Sequence, residues 1–334
     1  MSTDARAQFA DAIRAAGLVL PEKIEADGEL HRFAANGQRK DKAGWYVFHG
    51  DGIPAGMFGD WRTGLRQPWR ADAGRTLTPA EEAAHRAKVQ AMRRQREAEE
   101  KTRHAEAAKK AAAIWQGAKP APGDHPYSAR KGINASGARI HKGALVVPMR
   151  SSGKLHSLQF IAPDGSKRFL PGGRVSGCYH AIGKPNGLLC ITEGYATGAS
   201  VHEATGHAVA VSFNWGNMGP VALALHAKFP DLRLILCADD DVETEGNPGL
   251  TAATAAAKAV GGTVAIPDFG TDRPAGVSDF NDMHTLRGAE AVAGAIAGAS
   301  APAMPEHQPN AESLPAVEPA MPGTSDSIST SLVP

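Results

Sequence analysis

Two short apolar runs that end in carboxylates decide how this chain folds: LLCITEG at residues 188–194 and LRLILCADDD at residues 232–241. Each run is rich in β-forming residues and is followed by a Gly- or Ala-rich stretch of helical character. This pattern is typical of buried parallel strands in an α/β sheet. Ligands of such sheets bind at the carboxyl ends of the strands. We therefore expect Glu193, Asp239, Asp240 and Asp241 at a functional site.

The surrounding region has the pattern of a compact α/β domain. The apolar segments predict strands over residues 188–192, 208–213, 232–238 and 263–267, separated by helical stretches near 197–205, 218–229 and 248–260. Such alternation predicts a mostly parallel sheet flanked by helices. A further acidic group, SDFND at residues 278–282, follows the fourth strand after a loop with Gly and Pro. It adds Asp279 and Asp282 to the candidate site.

The sequence before residue 184 has a different character. Short aromatic segments within residues 28–70, separated by Gly and Asn-Gly turns, predict a small β-meander whose rings mostly form its core. Arg62 and Arg66 lie among these rings, so one or two rings are candidates for stacking on bases. Thr78-Pro79 predicts the start of a helix that extends to about Gly117. From residue 119 onward the pattern is β-like and basic.

These changes in composition predict five parts. They are an aromatic and basic β-rich module (1–72), a charged Ala-rich helix (73–118), a basic β-rich segment (119–183), an α/β catalytic domain (184–298) and a disordered tail (299–334).

Charge is distributed unevenly along the chain, although the formal net charge is only +1. Residues 1–180 hold 30 Lys and Arg against 18 Asp and Glu, and residues 181–334 hold 6 against 17. A basic half beside an acidic half suits a protein that holds a polyanion and does metal chemistry. The alternative is that the two halves are domains with ordinary surfaces whose charges happen to differ.

Three cysteines without a CxxC pair argue against a zinc ribbon or a disulfide framework. With no apolar signal region and no run long enough for a membrane span, we expect a soluble, cytoplasmic protein that does not associate with membranes.

The motifs together resemble a Toprim domain, whose marks are a strand that ends in Glu and a later strand that ends in Asp-x-Asp. Glu193 matches the first mark, and Asp239 with Asp241 matches the second. The stretches EGYATGAS, ADDDVETEGNPGLTAA and SDFND are similar to Toprim domains of plasmid- and phage-encoded DNA primases. The upstream stretch KGI…LVVPMR…GKLHSLQFIAPDGSKRFLPGG and the aromatic N-terminal part are also similar to such proteins. The resemblance covers roughly residues 20–295.

The resemblance implies metal-dependent nucleotidyl transfer that makes short RNA primers on single-stranded DNA for a mobile element. Glu193, Asp239 and Asp241 are the implied catalytic residues and ligands of Mg²⁺ or Mn²⁺, and Asp279 and Asp282 are candidates for a second metal. Many primases also carry an N-terminal zinc ribbon, which the cysteine count excludes here, so we expect no zinc. Because strand side chains alternate, Asp239 and Asp241 are expected to share a metal while Asp240 points away.

The basic residues are predicted to hold the template DNA and the nucleoside triphosphates, with Lys167 and Arg168 as first choices. The full set is Lys131, Arg150, Lys154, Lys167, Arg168, Arg174, Arg62 and Arg66. The sequence has no P-loop, so a separate replicative helicase is an expected partner.

Two other hypotheses remain open at this point. A Toprim nuclease would use the same carboxylates to cut DNA and would not depend on nucleotides. A DNA-binding accessory protein would carry a catalytically silent Toprim core. Asn214-Trp215-Gly216-Asn217, after the second strand, either shapes a nucleotide pocket or forms a simple loop.

Overall fold

The computed structural model describes residues 4–38, 41–60, 63, 65–71 and 78–302. Trp61, Arg62 and most of the predicted disordered tail, from residue 303 onward, lie outside these ranges. The chain divides into two compact units, Met1–Glu106 and Ala107–Pro334. The finer division into five parts stays a prediction.

The first unit is built on a four-stranded antiparallel meander. Its strands are β1 (His31–Phe33), β2 (Gly44–His49), β3 (Ala55–Asp60) and β4 (Leu65–Arg70), in that order, preceded by helix α1 (Ala5–Ala15). The side of the sheet that packs on α1 buries aromatic rings around Phe9, including Tyr46, Phe48 and Phe58. The predicted small aromatic β module is therefore present.

Helix α2 (Pro79–Gly117) begins where the Thr-Pro signal predicts it. It is made mainly of Ala and charged residues, and pairs such as Arg93–Glu97 link successive turns on its surface. Its last turns are apolar: Ala111, Ile114 and Trp115 pack against β-strands of the second unit. The helix is thus solvated along most of its length and anchored at its end.

The second unit begins with an antiparallel sheet of five strands in sequence order. They are β5 (Lys119–Pro120), β6 (Arg139–His141), β7 (Ala144–Ser151), β8 (Lys154–Ile161) and β9 (Lys167–Phe169), with helix α3 (Pro126–Lys131) between the first two. One face carries Val146, Leu158 and Phe160 under the end of α2. The opposite face carries Leu145, Val147 and Ile161 into the main core. Strand residues alternate between the faces, so neighbours in sequence point to opposite sides.

The main sheet has the order β10-β12-β11-β13-β14. Its strands are β10 (His180–Ile182), β11 (Leu188–Thr192), β12 (Ala208–Val211), β13 (Arg233–Cys237) and β14 (Thr263–Ala265), and its helices are α4 (Tyr195–Thr205), α5 (Trp215–Lys228), α6 (Pro248–Val260) and α7 (Phe280–Ala297). All pairings are parallel except the one between β10 and β12 at the edge.

Helices cover both faces of this sheet. Helices α5 and α6 bury Leu225 and Ala253 on one side, and α4 and α7 bury Ala199 and Val292 on the other. The predicted compact parallel sheet flanked by helices is confirmed, with each predicted strand found within two residues or so of its expected bounds. Strand β12 ends early because Phe213 adopts a left-handed backbone, with φ of 74°. Within the described ranges, no helix is long and apolar enough to cross a lipid bilayer.

Candidate active site

The acidic residues meet at the carboxyl edge of the main sheet. β11 and β13 are adjacent and parallel, with Thr192 opposite Cys237. Glu193 follows the first strand directly, and Asp239 follows the second after Ala238. Parallel pairing carries both strand ends to the same edge, which brings the two carboxylates together. The predicted placement of these strand ends is what the structure shows.

Burial and mutual repulsion perturb the pKa values of two of these groups. Burial, followed by repulsion from Asp241, raises the pKa of Glu193 to about 7, against opposing effects of Lys167 and the backbone N–H of Trp215. Burial also raises the pKa of Asp239 to about 9, and repulsion from Glu193, Asp279 and Asp241 adds to it. We call Glu193, Asp239, Asp241 and Asp279 the carboxylate cluster. The repulsion among these carboxylates raises the free energy of the folded protein unless a cation offsets their charge.

Asp239 shows that the carboxylate cluster suits a metal ion. Its Oδ1 is fully buried and accepts no hydrogen bond within the protein. A buried acceptor without a donor costs free energy, and a carboxylate oxygen is the ligand type that Mg²⁺ prefers. Within the part of the chain that the structure describes, no three His, Cys, Asp or Glu side chains already converge as a ready-made chelating set.

Asp240, between the two cluster aspartates, belongs to a different set of contacts. Its Oδ2 lies 2.5 Å from Arg273 Nη1, and its Oδ1 accepts a hydrogen bond of 2.7 Å from the side-chain amide of Asn247. Both charged side chains are largely buried, with exposures of 15% for Asp240 and 21% for Arg273. Asp240 is therefore held as a structural ion pair.

Arg273 is a residue that sequence reasoning missed. Besides its pair with Asp240, its guanidinium donates to the backbone oxygens of Asp240 and Val277 and lies 4.8 Å from the ring centre of Phe269. It thereby ties the loop after β13 to the loop that leads to Asp279. A lone arginine in a Gly- and Pro-containing loop gives no sequence signal for this role.

The two acids of the SDFND group are placed differently. Asp279 caps α7: its Oδ1 accepts from the backbone N–H of Asn281 and Asp282, and its Oδ2 accepts from the hydroxyl of Thr197. It still lies close enough to raise the pKa of Asp239. Asp282 accepts from Ser278 N–H and pairs with Lys131 Nζ at 3.4 Å. Asp279 thus lies in the carboxylate cluster, whereas Asp282 is paired with Lys131.

Lys167 and Arg168 lie on opposite faces of the antiparallel sheet. Lys167 pairs with Ile161, on the main-core side, and is close enough to lower the pKa values of Glu193 and Asp239. Arg168 pairs with Phe160 on the side covered by α2, and its guanidinium lies 4.3 Å from the centre of that ring. Of these two residues, Lys167 is therefore the one that lies close to the carboxylate cluster.

The other predicted basic residues are dispersed. Lys131 pairs with Asp282, and Lys154 is exposed at the start of β8. Arg150 donates to the backbone oxygen of Gly153, and Arg174 donates to that of Ser176. In the first unit, Arg66 lies 6.0 Å from the ring centre of Trp45, and Arg62 is outside the described residues.

The loop between β12 and α5 also reaches the carboxylate cluster. Phe213 N–H donates to the backbone oxygen of Glu193, and the backbone N–H of Trp215 lies close enough to the Glu193 carboxylate to lower its pKa. The side chain of Asn214 caps α5 by accepting from Asn217 N–H. The loop therefore fixes the position of Glu193 from the neighbouring strand.

Comparison with known proteins identifies the main domain. Residues 188–290 match the family model of the Toprim domain. Two Escherichia coli proteins, both named DNA primase TraC, are similar to this chain. One is 38% identical over 284 residues, which cover 78% of this chain and 26% of the relative. The other is 36% identical over 319 residues, which cover 88% of this chain and 22% of the relative. The chain spans about a quarter of the length of these curated relatives. The predicted resemblance to Toprim DNA primases is confirmed.

Solved structures of primases are more distant. The Aquifex aeolicus primase, with zinc-binding and RNA polymerase domains, is 14% identical with a TM-score of 0.40, over 90% of this chain and 86% of that one. The DnaG primase catalytic domain bound to single-stranded DNA is 15% identical with a TM-score of 0.36, over 47% and 51%. Toprim domains generally bind divalent metal ions, which agrees with the carboxylate cluster.

Proposed function

We propose that this chain is the catalytic part of a DNA primase that joins nucleoside triphosphates into short primers on single-stranded DNA. The observation that carries the proposal is the carboxylate cluster at the edge of a Toprim sheet, with an unpartnered buried oxygen on Asp239. The similarity to proteins named DNA primase supports the same reaction. We further propose that the protein acts in the bacterial cytoplasm on behalf of a mobile element.

Glu193, Asp239 and Asp241 are the residues that we assign to hold Mg²⁺ or Mn²⁺. When bound, the metal would offset the charge of the reacting phosphates and favour ionisation of the attacking hydroxyl. Asp279 is the more suitable of the two SDFND acids for a second ion, because it lies close enough to raise the pKa of Asp239, whereas Asp282 is paired with Lys131.

The protein residues have distinct tasks in this reaction. A 3′ oxygen attacks the α-phosphorus of the incoming nucleotide, a new O–P bond forms, and the bond to the β-phosphate breaks to release pyrophosphate. If Glu193 does not itself bind the ion, its carboxylate in the cluster would accept the proton of the attacking hydroxyl. Lys167 faces the same cluster and would bind the anionic triphosphate.

The template would be held by basic residues outside the carboxylate cluster. Lys154, Arg150 and Arg174 in the second unit, with Arg66 and Arg62 in the first, are the residues that we assign to contact DNA phosphates. Lys131 is paired with Asp282, so its contribution would require that pair to open. A separately encoded replicative helicase would be a partner of such a protein.

The direct test supplies labelled nucleoside triphosphates, single-stranded DNA and Mg²⁺ or Mn²⁺ to the full chain. We expect short labelled products from the wild type and none from Asp239→Ala, while Asp231→Ala, which removes an exposed carboxylate elsewhere, behaves as the wild type. Metal-dependent cleavage of the DNA without nucleotide incorporation would instead establish a nuclease. Absence of both reactions would refute the proposed function.

A further inference from the structure

Trp215 is an exposed aromatic residue on the loop that reaches the carboxylate cluster. It is the first residue of α5, and its backbone N–H lies close enough to the Glu193 carboxylate to lower the pKa of that group. The residue is 46% exposed, although large apolar side chains of this domain are mostly buried. An exposed indole beside a catalytic carboxylate offers a flat apolar surface to whatever the site binds.

The backbone that carries this ring is firmly fixed. Phe213 has a φ of 74°, a left-handed conformation that is unfavourable for a bulky residue and persists only where its surroundings impose it. The buried side chain of Asn217 supplies that constraint. It donates to the backbone oxygens of Ser212 and Cys178, at 2.8 and 2.9 Å, and accepts from Gly177 N–H at 2.7 Å. Trp215 is therefore held in place by contacts on both sides of the loop.

Strand β9 reaches the same region from the antiparallel sheet. The ring of Phe169 meets that of Phe213 edge to face, with 6.3 Å between centroids. Lys167, two residues before it on the same face, is close to Glu193 and Asp239. The antiparallel sheet thus supplies a cation to the carboxylate cluster, and the loop of the parallel sheet that reaches the cluster carries the exposed Trp215.

We propose that Trp215 is the stacking surface for the base of the incoming nucleotide, whose triphosphate lies towards Lys167. This inference rests on the proposed function, which makes a nucleoside triphosphate the substrate. Stacking suits that substrate because every base has an aromatic face, so one ring serves all four nucleotides without selecting among them. It also orients the nucleotide, since base and triphosphate are held at separate points.

The test compares binding of ATP with binding of inorganic tripolyphosphate, each with Mg²⁺, by calorimetric titration of the full chain. In Trp215→Ala we expect ATP affinity to fall roughly 5- to 100-fold, the range for loss of one stacked base. Tripolyphosphate affinity should stay unchanged, because it has no base. Trp215→Phe should retain most of the ATP affinity. Leu223→Ala, which removes another exposed apolar side chain from α5, should change neither.

Three results would overturn the assignment. The first is a Trp215→Ala variant that binds ATP as tightly as the wild type, and the second is one that loses affinity for ATP and tripolyphosphate equally, which would indicate a damaged phosphate site. The third is a Trp215→Ala variant that loses affinity for an oligo(dT) strand but keeps its affinity for ATP, which would show that the ring contacts the template. Because binding is measured without turnover, a wild type that binds ATP through Trp215 but makes no primers would refute the proposed function alone.

Discussion

The two sheets of the second unit use charged residues in opposite ways. In the parallel sheet, the strand ends bring Glu193 and Asp239 to one edge from positions 46 residues apart. In the antiparallel sheet, Lys167 and Arg168 are adjacent in sequence but lie on opposite faces. A strand end in a parallel sheet therefore predicts where a side chain lies. A side chain within an antiparallel strand lies on one of the two faces of the sheet, and the sequence alone does not specify which face.

The largest expected effect concerns the strand-end aspartates. Asp239→Ala and Asp241→Ala should each lower kcat for primer synthesis by more than about 100-fold, because even groups that only support metal ligands cost roughly 10- to 100-fold when removed. Asp240→Ala should lower it much less, since Asp240 faces Arg273. Single-turnover assays at saturating nucleotide measure this. Equal losses in all three variants would show that the three aspartates do not have separate roles.

The order of the effects should reverse when stability is measured, with the substitution at Asp240 destabilising the fold and the substitution at Asp239 stabilising it. Asp240→Ala should lower the free energy of unfolding by about 3 kcal/mol, because it leaves Arg273 buried without its partner. Asp239→Asn should raise it by about 1–2 kcal/mol in metal-free buffer at pH 8, as relief of strain in a functional site often does. Urea unfolding with EDTA present measures both, and Asp240→Asn controls for shape. If Asp239→Asn were destabilising, the cluster would not be repulsive.

The lysine and arginine of β9 offer a third comparison. Lys167→Ala should raise the KM for nucleoside triphosphate by about tenfold, which corresponds to about 1.4 kcal/mol. Arg168→Ala should leave KM unchanged and instead lower stability by about 0.5–1 kcal/mol, through loss of its contact with Phe160. Steady-state kinetics and thermal unfolding of both variants give these values. A larger KM effect at Arg168 would mean that the two faces are wrongly assigned.

A further prediction concerns the pH dependence of stability. A carboxyl whose pKa is raised on folding binds more protons in the folded state, so stability falls as pH rises from the unfolded pKa towards the folded one. For Asp239 that interval extends from about 4 to about 9. Metal-free wild type should therefore lose stability over this interval relative to Asp239→Asn. A constant difference between the two proteins from pH 5 to pH 8 would contradict the raised pKa.

The sequence predicts most of the fold and the outline of the site. Apolar runs locate the parallel strands, and their last residues locate Glu193 and Asp239, because both depend on local pattern. Arg273 and Asn217 could not be found this way, since Arg273 binds the backbone oxygen of Asp240 and Asn217 binds that of Cys178, both far away in the sequence. The opposite placement of Lys167 and Arg168 depends on the register between β8 and β9, which composition does not specify.

Calorimetric titration of Mn²⁺ into the full chain tests most directly whether the strand-end carboxylates form the metal site. The account predicts binding to the wild type that tightens from pH 6 to pH 9, because the ion displaces protons from Glu193 and Asp239. Binding should persist in Asp240→Asn and be lost in Asp239→Asn and Asp241→Asn. Equal binding by all three variants, or loss only in Asp240→Asn, would contradict it.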